Sequence, residues 1–404
     1  MSAWGAQKRN IDDLVAGVAS GKLACVVVLS GRAFDDAAAV TLAEAIGAPA
    51  ARLTELRCSS HALTAVGAAA LGRAVGASTI FETLDAGDAT LGDEGVQALA
   101  LCLRCPSLKT LNLEAKGMGD AGARALAAGL SHSLDKLDVS RNELGEAGVV
   151  ALAGALKARN RPLLNLDVSG CANARRVQEL CANVISLRCA DLGPGAFDCA
   201  AFSPLHCKKL FKLDVSNCGL DAAAVCALAR AASLVELRYA GNAEAGDAAA
   251  AAVARSAAPL ALIDASGTGL TATGALALMK SGAASVFAND NAFGDAGIAE
   301  LAAGLPAAPE LRTLGLSKTG MGDEGAIAMS TALTSVVSVE TLEVGGNAIG
   351  DAGAKELAAA LKANATLTTL WLEGACSGAP SPPPRHRRTR ACTFAGGGVR
   401  RAAP

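Results

Sequence analysis

Apolar and polar residues alternate in a short block that recurs along this 404-residue chain. The clearest copy covers residues 342–361, and its first three residues alternate apolar and polar, which predicts a short β-strand. Asn347 follows and predicts a turn. Gly-Asp-Ala-Gly at 350–353 then begins a predicted helix, in which Leu357 and Leu361 lie four residues apart on one face. Each block therefore predicts one strand, one turn and one helix.

Fourteen copies of the block align on the central apolar residue of the predicted strand. These residues are Val27, Leu56, Leu84, Leu111, Leu137, Leu166, Leu187, Leu213, Leu237, Ile263, Val286, Leu314, Leu342 and Leu370. Successive spacings run from 21 to 29 residues, and 28 is the most frequent. Repeats of this length are single supersecondary units that bury their apolar faces against their neighbours.

Polar residues at fixed places in the block have physical roles. An Asn just after the strand, as at Asn142, can bond backbone groups of the turn that would otherwise be buried unpaired. An acid such as Asp120 falls near the helix N-terminus, where it can cap free N–H groups and meets the positive end of the helix dipole. The Gly two residues later, here Gly122, is expected to let the helix and turn approach closely.

Parallel strands stack about 4.8 Å apart and helices about 8–10 Å apart, so the strands must take the inside of a bend. The predicted fold is α/β: a curved, horseshoe-shaped solenoid with a parallel sheet on the concave face and helices on the convex face. We expect an N-terminal capping helix within 1–22, the solenoid over 23–376, and a basic, Pro/Gly/Arg-rich disordered tail over 377–404. The pattern is irregular at 171–209, where Gly193-Pro194-Gly195 predicts a loop or short 3₁₀ turns.

The formal net charge of −2 is unevenly distributed. Residues 377–404 hold six Arg and no acid, so the rest of the chain carries 30 basic and 38 acidic residues. A mildly acidic solenoid argues against nucleic acid as its partner. The sequence shows no signal peptide and no apolar run of about 18 residues, so no membrane segment is predicted. The 13 scattered Cys predict free thiols in a cytoplasmic protein, and the Arg-rich tail leaves a nuclear location open.

Residues 24–372 resemble the ribonuclease-inhibitor-like subfamily of leucine-rich repeat proteins. The resemblance is carried by Leu-x-x-Leu-x-Leu/Val, then Asn/Cys/Thr, then Gly-Asp-x-Gly-x-x-x-Leu-x-x-x-Leu, clearest at 108–130, 134–156, 311–333 and 339–361. The resemblance implies a concave sheet that binds another protein. Related arrays occur in ribonuclease inhibitor, in Ran GTPase-activating protein and in NOD-like receptors. This chain has no Gly-x-x-x-x-Gly-Lys-Ser/Thr phosphate loop, and it ends basic where Ran GTPase activators typically end acidic.

The residue directly after each central apolar residue is expected to face the concave side, as one row in register. The candidate partner-binding residues in this row are Arg57, Asp85, Asp138, Asp167, Arg188, Asp214, Arg238, Asp264, Phe287, Glu343 and Trp371. We expect the Asp residues to be exposed and to form an Arg-punctuated acidic groove for a basic surface. The alternative is that Asp at this position only keeps the sheet soluble. Trp371 is either an exposed contact for a partner or part of the packing at the C-terminal end of the array.

Other chemistry-bearing residues give weaker signals. Cys102 and Cys105 are best interpreted as small core thiols. Cys199, His206 and Cys207 lie in the irregular repeat, but a zinc site there would need a fourth ligand. No catalytic residue, metal site or cofactor is predicted.

The sequence therefore predicts a non-enzymatic, intracellular scaffold that binds another protein, with a basic surface, on its concave face. It predicts no small-molecule substrate. The first alternative is a regulator of a small GTPase, similar to Ran GTPase-activating protein. The second is a binder of a basic protein that resembles ribonuclease inhibitor.

Overall fold

The computed structural model describes the chain over seven ranges. They are residues 11–28, 34–59, 62–87, 89–198, 207–256, 260–336 and 338–374. The predicted tail at 377–404, Cys199 and His206 lie outside these ranges. The chain divides into two compact units, Met1–Asp264 and Ala265–Pro404.

Short parallel strands follow one another through both units. The first unit contains β1 (Cys25–Val27), β2 (Glu55–Arg57), β3 (Thr83–Asp85), β4 (Thr110–Asn112), β5 (Lys136–Asp138), β6 (Leu163–Asp167), β7 (Val184–Arg188), β8 (Lys212–Asp214), β9 (Glu236–Arg238) and β10 (Leu262–Asp264). The second contains β11 (Ser285–Phe287), β12 (Thr313–Gly315), β13 (Thr341–Glu343) and β14 (Thr369–Trp371). Within each unit, strands adjacent in sequence pair in parallel, as expected for stacked repeats.

A helix follows most strands. The first unit contains α1 (Ile11–Ala19), α2 (Asp36–Ile46), α3 (Ala65–Ala77), α4 (Gly92–Leu99), α5 (Asp120–Gly129), α6 (Glu146–Ala158), α7 (Ala222–Leu228) and α8 (Gly246–Ala254). The second contains α9 (Ala272–Met279), α10 (Gly294–Gly304), α11 (Asp323–Leu333) and α12 (Asp351–Ala363). Short 3₁₀ helices occupy Ala100–Arg104, Val177–Asn183 and Leu305–Ala307. None of the described helices combines the length and apolar character needed to cross a bilayer.

The central apolar residue is buried in β1–β13 and half-buried in β14, and within each unit it pairs with its counterpart in the next repeat. Leu56, Leu84 and Leu111, for example, are in register and at most 1% exposed. The first repeat corrects the predicted register by one residue, because Val26 and not Val27 pairs with Leu56. Val27 is 45% exposed and Val28 is buried, the reverse of the prediction, since a slip of one residue moves every side chain to the opposite face.

The predicted role of Asn after the strand is confirmed. The Oδ1 atom of Asn142 accepts from the backbone N–H groups of Lys116 and Met118, at 2.9 and 3.0 Å. Its Nδ2 atom donates to the carbonyl oxygens of Leu113 and Val139. One buried amide thus satisfies backbone groups of two successive repeats. Equivalent bonds are made by Asn242, Asn291 and Asn347.

The acid at the helix N-terminus caps free N–H groups, as predicted, but they are not those of its own helix. The Oδ1 atom of Asp93 instead accepts from the backbone N–H groups of Gly119 and Gly122, at the start of the next helix. A Cβ on Gly122 would lie 2.8 Å from that oxygen and 2.6 Å from Cγ of Met118, so the neighbouring carboxylate and Met118 together require glycine there. Asp120, Asp295 and Asp323 cap the following helix in the same way.

The irregular segment follows its prediction where the structure describes it. After β6 the 3₁₀ helix Val177–Asn183 replaces the α-helix. After β7, residues 189–198 form turns and bends. The short repeat is attached through Asn183, whose Nδ2 atom donates to the carbonyl oxygens of Leu156 and Arg159 at the C-terminal end of α6.

Candidate functional site

The candidate row is assembled from equivalent positions of successive strands. In the first unit, residues of the row are aligned strand to strand by the sheet register. They are Arg57, Asp85, Asp138, Asp167, Arg188, Asp214, Arg238 and Asp264, with Asn112 between Asp85 and Asp138. In the second unit, Phe287, Glu343 and Trp371 hold the same position on β11, β13 and β14. We call the side of each unit's sheet that carries this row the open face.

Four Asp residues of the row, Asp85, Asp138, Asp167 and Asp214, have a structural task that accounts for part of their burial. The Oδ1 atom of Asp138 accepts from the backbone N–H and the hydroxyl of Ser140, at 2.9 and 2.6 Å. Asp214 makes the same two bonds with Ser216, at 3.0 and 2.7 Å. These bonds close the turn at the end of the strand. The Asp residues were predicted to be exposed, but the side chains of Asp167, Asp214 and Asp264 are only about a fifth exposed.

The second carboxylate oxygen of several Asp residues is paired with Arg. Nη1 of Arg188 lies 3.2 Å from Oδ2 of Asp167, and its Nε lies 3.5 Å from Oδ2 of Asp214. Nη1 of Arg238 lies 3.4 Å from Oδ2 of Asp264. Exposed pairs of this kind contribute about 0–1 kcal/mol, so their main effect is to hold the side chains in a defined arrangement. The middle of the row is therefore a ladder of alternating charge.

Asp138 differs from the other acids of the row. Within the part of the chain that the structure describes, no cationic side chain forms an ion pair with it. Burial raises the pKa of Asp138, and the nearby carboxylates of Asp167 and Glu114 raise it further, while the bonds from Ser140 lower it. The upstream end of the ladder therefore places three carboxylates close together, of which Asp138 alone forms no ion pair in the described chain, since Glu114 pairs with Arg141 and Asp167 with Arg188.

The two aromatic residues of the row differ in exposure. Phe287, predicted to face the concave side, is half-buried. Its ring lies over Gly315 of the next strand, where an added Cβ would be 2.8 Å from Cδ1. Trp371 is 55% exposed. It lines a shallow depression of about 500 Å³ together with Glu343 and Lys318. Trp371 is thus accessible on the open face of the second unit.

The cysteines do not form a second site in the described structure. Cys102 and Cys105 are fully buried, and burial raises the pKa of the Cys102 thiol to about 12. The ten cysteines that the structure describes are all free. Among the described residues, no three His, Cys, Asp or Glu side chains are placed to hold a metal ion. Of the zinc candidates only Cys207 falls in the described ranges, where it is buried and hydrogen-bonded to Cys181.

The turn-closing role of the row was not predicted, although the sequence contains a signal for it. Asp138, Asp167 and Asp214 are each followed two residues later by Ser, and Ser169 also donates its backbone N–H to Asp167. A repeated Asp-x-Ser at the end of a strand is the pattern of a side-chain-closed turn.

Comparisons with known proteins agree with this architecture. A family model described as leucine-rich repeat matches residues 130–153, 309–330 and 337–358. The mouse protein named NACHT, LRR and PYD domains-containing protein 14 is 29% identical over 195 residues, which are 45% of this chain and 20% of that protein. Pig ribonuclease inhibitor is 28% identical over 178 residues, 42% of this chain and 39% of the inhibitor.

Among solved structures, the chain is similar to one in the yeast Rad7–Elc1 complex. The TM-score is 0.53 at 16% sequence identity, over 80% of this chain and 83% of that one. A likeness at this identity concerns the fold alone. The chain spans at most 39% of the length of the two sequence relatives named above.

Proposed function

The chain is a leucine-rich repeat protein of the ribonuclease-inhibitor-like type, and from this premise we propose that it is a scaffold that binds another protein on its open face. The contact surface is the charged row of the first unit, from Asp138 to Asp264. The observation that carries the proposal is the charge of this row. It contains four Asp and two Arg in register.

The distribution of that charge defines the chemistry of the partner. Oδ2 of Asp167, Asp214 and Asp264 lies next to an Arg, whereas Asp138 lacks a cationic partner in the described residues. A Lys or Arg of a partner placed beside Asp138 would offset the repulsion from Asp167 and Glu114. The partner is therefore a protein with a basic surface. The name of the similar ribonuclease inhibitor, which acts on another protein, supports a protein as the ligand.

The free, buried thiols support a reducing compartment such as the cytoplasm for this activity. The scaffold acts by binding and does not itself carry out a reaction.

The test is a quantitative affinity capture from the source cell's lysate, comparing the wild type with Asp138→Lys/Asp167→Lys at low and moderate salt. The matched control is Glu44→Lys/Glu300→Lys, which makes the same change in charge at exposed positions of α2 and α10. We expect a protein that the control retains, that the row variant loses and that salt weakens. Identical captured sets for both variants would contradict the proposal.

A further inference from the structure

An exposed run of large apolar side chains crosses four successive strands of the first unit. Leu164, Phe211 and Val235 are 37%, 44% and 40% exposed, and Ile185 is half-buried. Each lies two residues before the central buried residue of its strand, in β6, β7, or directly ahead of β8 and β9. We call these four residues the apolar stripe.

The backbone ladder shows that the four members of the apolar stripe are neighbours. β6 and β7 pair with Leu163 opposite Val184, which sets Leu164 beside Ile185. The backbone N–H of Phe211 donates to the carbonyl of Ile185, and that of Val235 donates to the carbonyl of Phe211, both at 2.8 Å. With strands about 4.8 Å apart, the stripe is about 14 Å long.

From β2 onwards, the same repeat position carries no other large apolar side chain. Upstream of the stripe it is occupied by Thr54, Glu82, Lys109 and Asp135; towards the C-terminus it is occupied first by Ala261 and Ala284 and then by Arg312, Glu340 and Thr368. Large apolar side chains thus occupy this position in four consecutive repeats, between polar residues on one side and alanines on the other. Single exposed apolar residues need no explanation, but a contiguous row of them marks an interaction surface.

Several charged groups next to the stripe already have partners within the chain. Nζ of Lys212 lies 2.6 Å from Oε1 of Glu236, directly beside Phe211 and Val235 in sequence. Arg188 is held between Asp167 and Asp214. Binding at this part of the face must therefore gain its energy from covering apolar surface, while charge selects the partner.

Two dimensions indicate what would cover the stripe. The strand spacing of about 4.8 Å is close to the 5.4 Å pitch of an α-helix, so a helix lying across β6–β9 presents one side chain to each strand. The charged row lies three residues further along each strand, about 10 Å away, which is the diameter of a helix with its side chains. One flank of such a helix would face the row, which carries Asp167, Arg188, Asp214 and Arg238 on β6–β9 and continues upstream to Asp138, the acid without an ion pair in the described chain.

On the basis of the proposed function, we propose that the apolar stripe is the docking site for an amphipathic helix of the partner protein. Apolar side chains spaced three or four residues apart cover Leu164, Ile185, Phe211 and Val235. Lys or Arg side chains on the adjacent flank face Asp138 and Asp167. This is recognition of a helix by its apolar edge, with its orientation fixed by charge.

The test is a selection of helix-forming 18-residue peptides from a displayed random library on the full chain. Affinities of the selected peptides are then measured by fluorescence anisotropy. We expect apolar residues at i, i+3 or i+4, and i+7, with Lys or Arg on one flank. Phe211→Ser/Val235→Ser should weaken binding at least about tenfold. Both residues are exposed, so this variant should keep the melting temperature of the wild type.

The matched control is Val40→Ser/Val66→Ser, which removes two exposed valines from helices α2 and α3 and should change affinity less than about twofold. A library that yields no binder, selected peptides without the pattern, or binding unaffected by Phe211→Ser/Val235→Ser would overturn the docking site. If Asp138→Lys/Asp167→Lys alone abolishes binding, the open-face function stands and the stripe does not. If neither variant has an effect, both proposals fall.

Discussion

Successive repeats between β3 and β6 are attached to one another differently from those between β6 and β9. In the first region, carboxylates of Asp93 and Asp120 each hold two backbone N–H groups of the following helix. In the second, Glu146 meets the side chain of Arg176 at 3.3 Å, and Asp221 caps its own helix through Ala224. The capped region has a polar open face, whereas the region with the altered attachment carries the apolar stripe.

This difference shows how one repeat array separates stability from recognition. In the regular repeats, the recurring Asp and Asn side chains hydrogen-bond to backbone groups of the neighbouring repeat. Substitution of these side chains would break those bonds. Where the helix is replaced by the 3₁₀ segment Val177–Asn183, the spacing of the strands in sequence shortens to 21 residues. The open face in front of that segment is also the place where the exposed Leu164, Phe211 and Val235 and the half-buried Ile185 lie together. Irregularity in this chain therefore coincides with its proposed contact surface.

The largest expected effect comes from breaking the alternative attachment of the short repeat. Asn183→Ala removes donors from the carbonyl oxygens of Leu156 and Arg159, and removes the acceptor of the 3.0 Å bond from Nζ of Lys209. Since Asn183 is buried, we expect a loss of about 2–3 kcal/mol in the free energy of unfolding. Chemical denaturation measures it, with the exposed Asn165→Ala as control. Equal, small losses in both variants would show that Asn183 does not attach this repeat.

Two separate glycine substitutions test the capped region, and their expected effects on stability are the second largest. Gly122→Ala places a methyl group 2.8 Å from Oδ1 of Asp93 and 2.6 Å from Cγ of Met118, so it should cost about 1–3 kcal/mol. Gly154→Ala meets no atom within 4 Å and should stabilise α6 by about 0.5–1 kcal/mol. Thermal unfolding of both variants checks the opposite signs, and a stabilising Gly122→Ala would refute the role of the inter-repeat cap.

The repeat pattern predicted some features of these repeats and not others. The Leu positions predicted the strand register, because the buried strand residue recurs at the same place in each repeat. The Asn positions predicted the turn bonds, because the turn backbone needs the same hydrogen-bond partner in each repeat. Repetition also concealed the direction of the caps: Asp120 lies two residues before Gly122 and 28 before Gly148, so spacing alone suits either partner. The first strand was misplaced because Val26, Val27 and Val28 give no alternation to set the register.

The candidate row was predicted as a set of positions, but its electrostatics were not. Whether Asp138 or Asp167 has an Arg partner depends on which strand lies next to it in the sheet, and the sequence alone assigns no such pairs. The apolar stripe was missed because its members occur once per repeat, at a position that the strand pattern treats as variable.

The smallest effect concerns the unpaired acid of the row. The folded-state pKa of Asp138 is raised by burial and by Asp167 and Glu114, so its charged form costs stability at neutral pH. Asp138→Asn should therefore be slightly more stable than the wild type at pH 7, by less than about 1 kcal/mol because solvent screens the site. The difference should vanish as the pH falls below about 4, where the wild-type carboxyl is protonated in both states. Unfolding curves across pH measure this, and an unchanged difference at low pH would argue against a charge effect.

The central claim is that a partner protein covers the open face of β6–β9. A photo-cross-linking amino acid placed at Lys212, in the middle of that face, and separately at Val66, on the exposed side of α3, tests it most directly in the source cell. We expect a discrete protein adduct from position 212 that Phe211→Ser/Val235→Ser removes, and none from position 66. An adduct that forms from position 66 and not from 212 would place the partner on the helices and contradict the account.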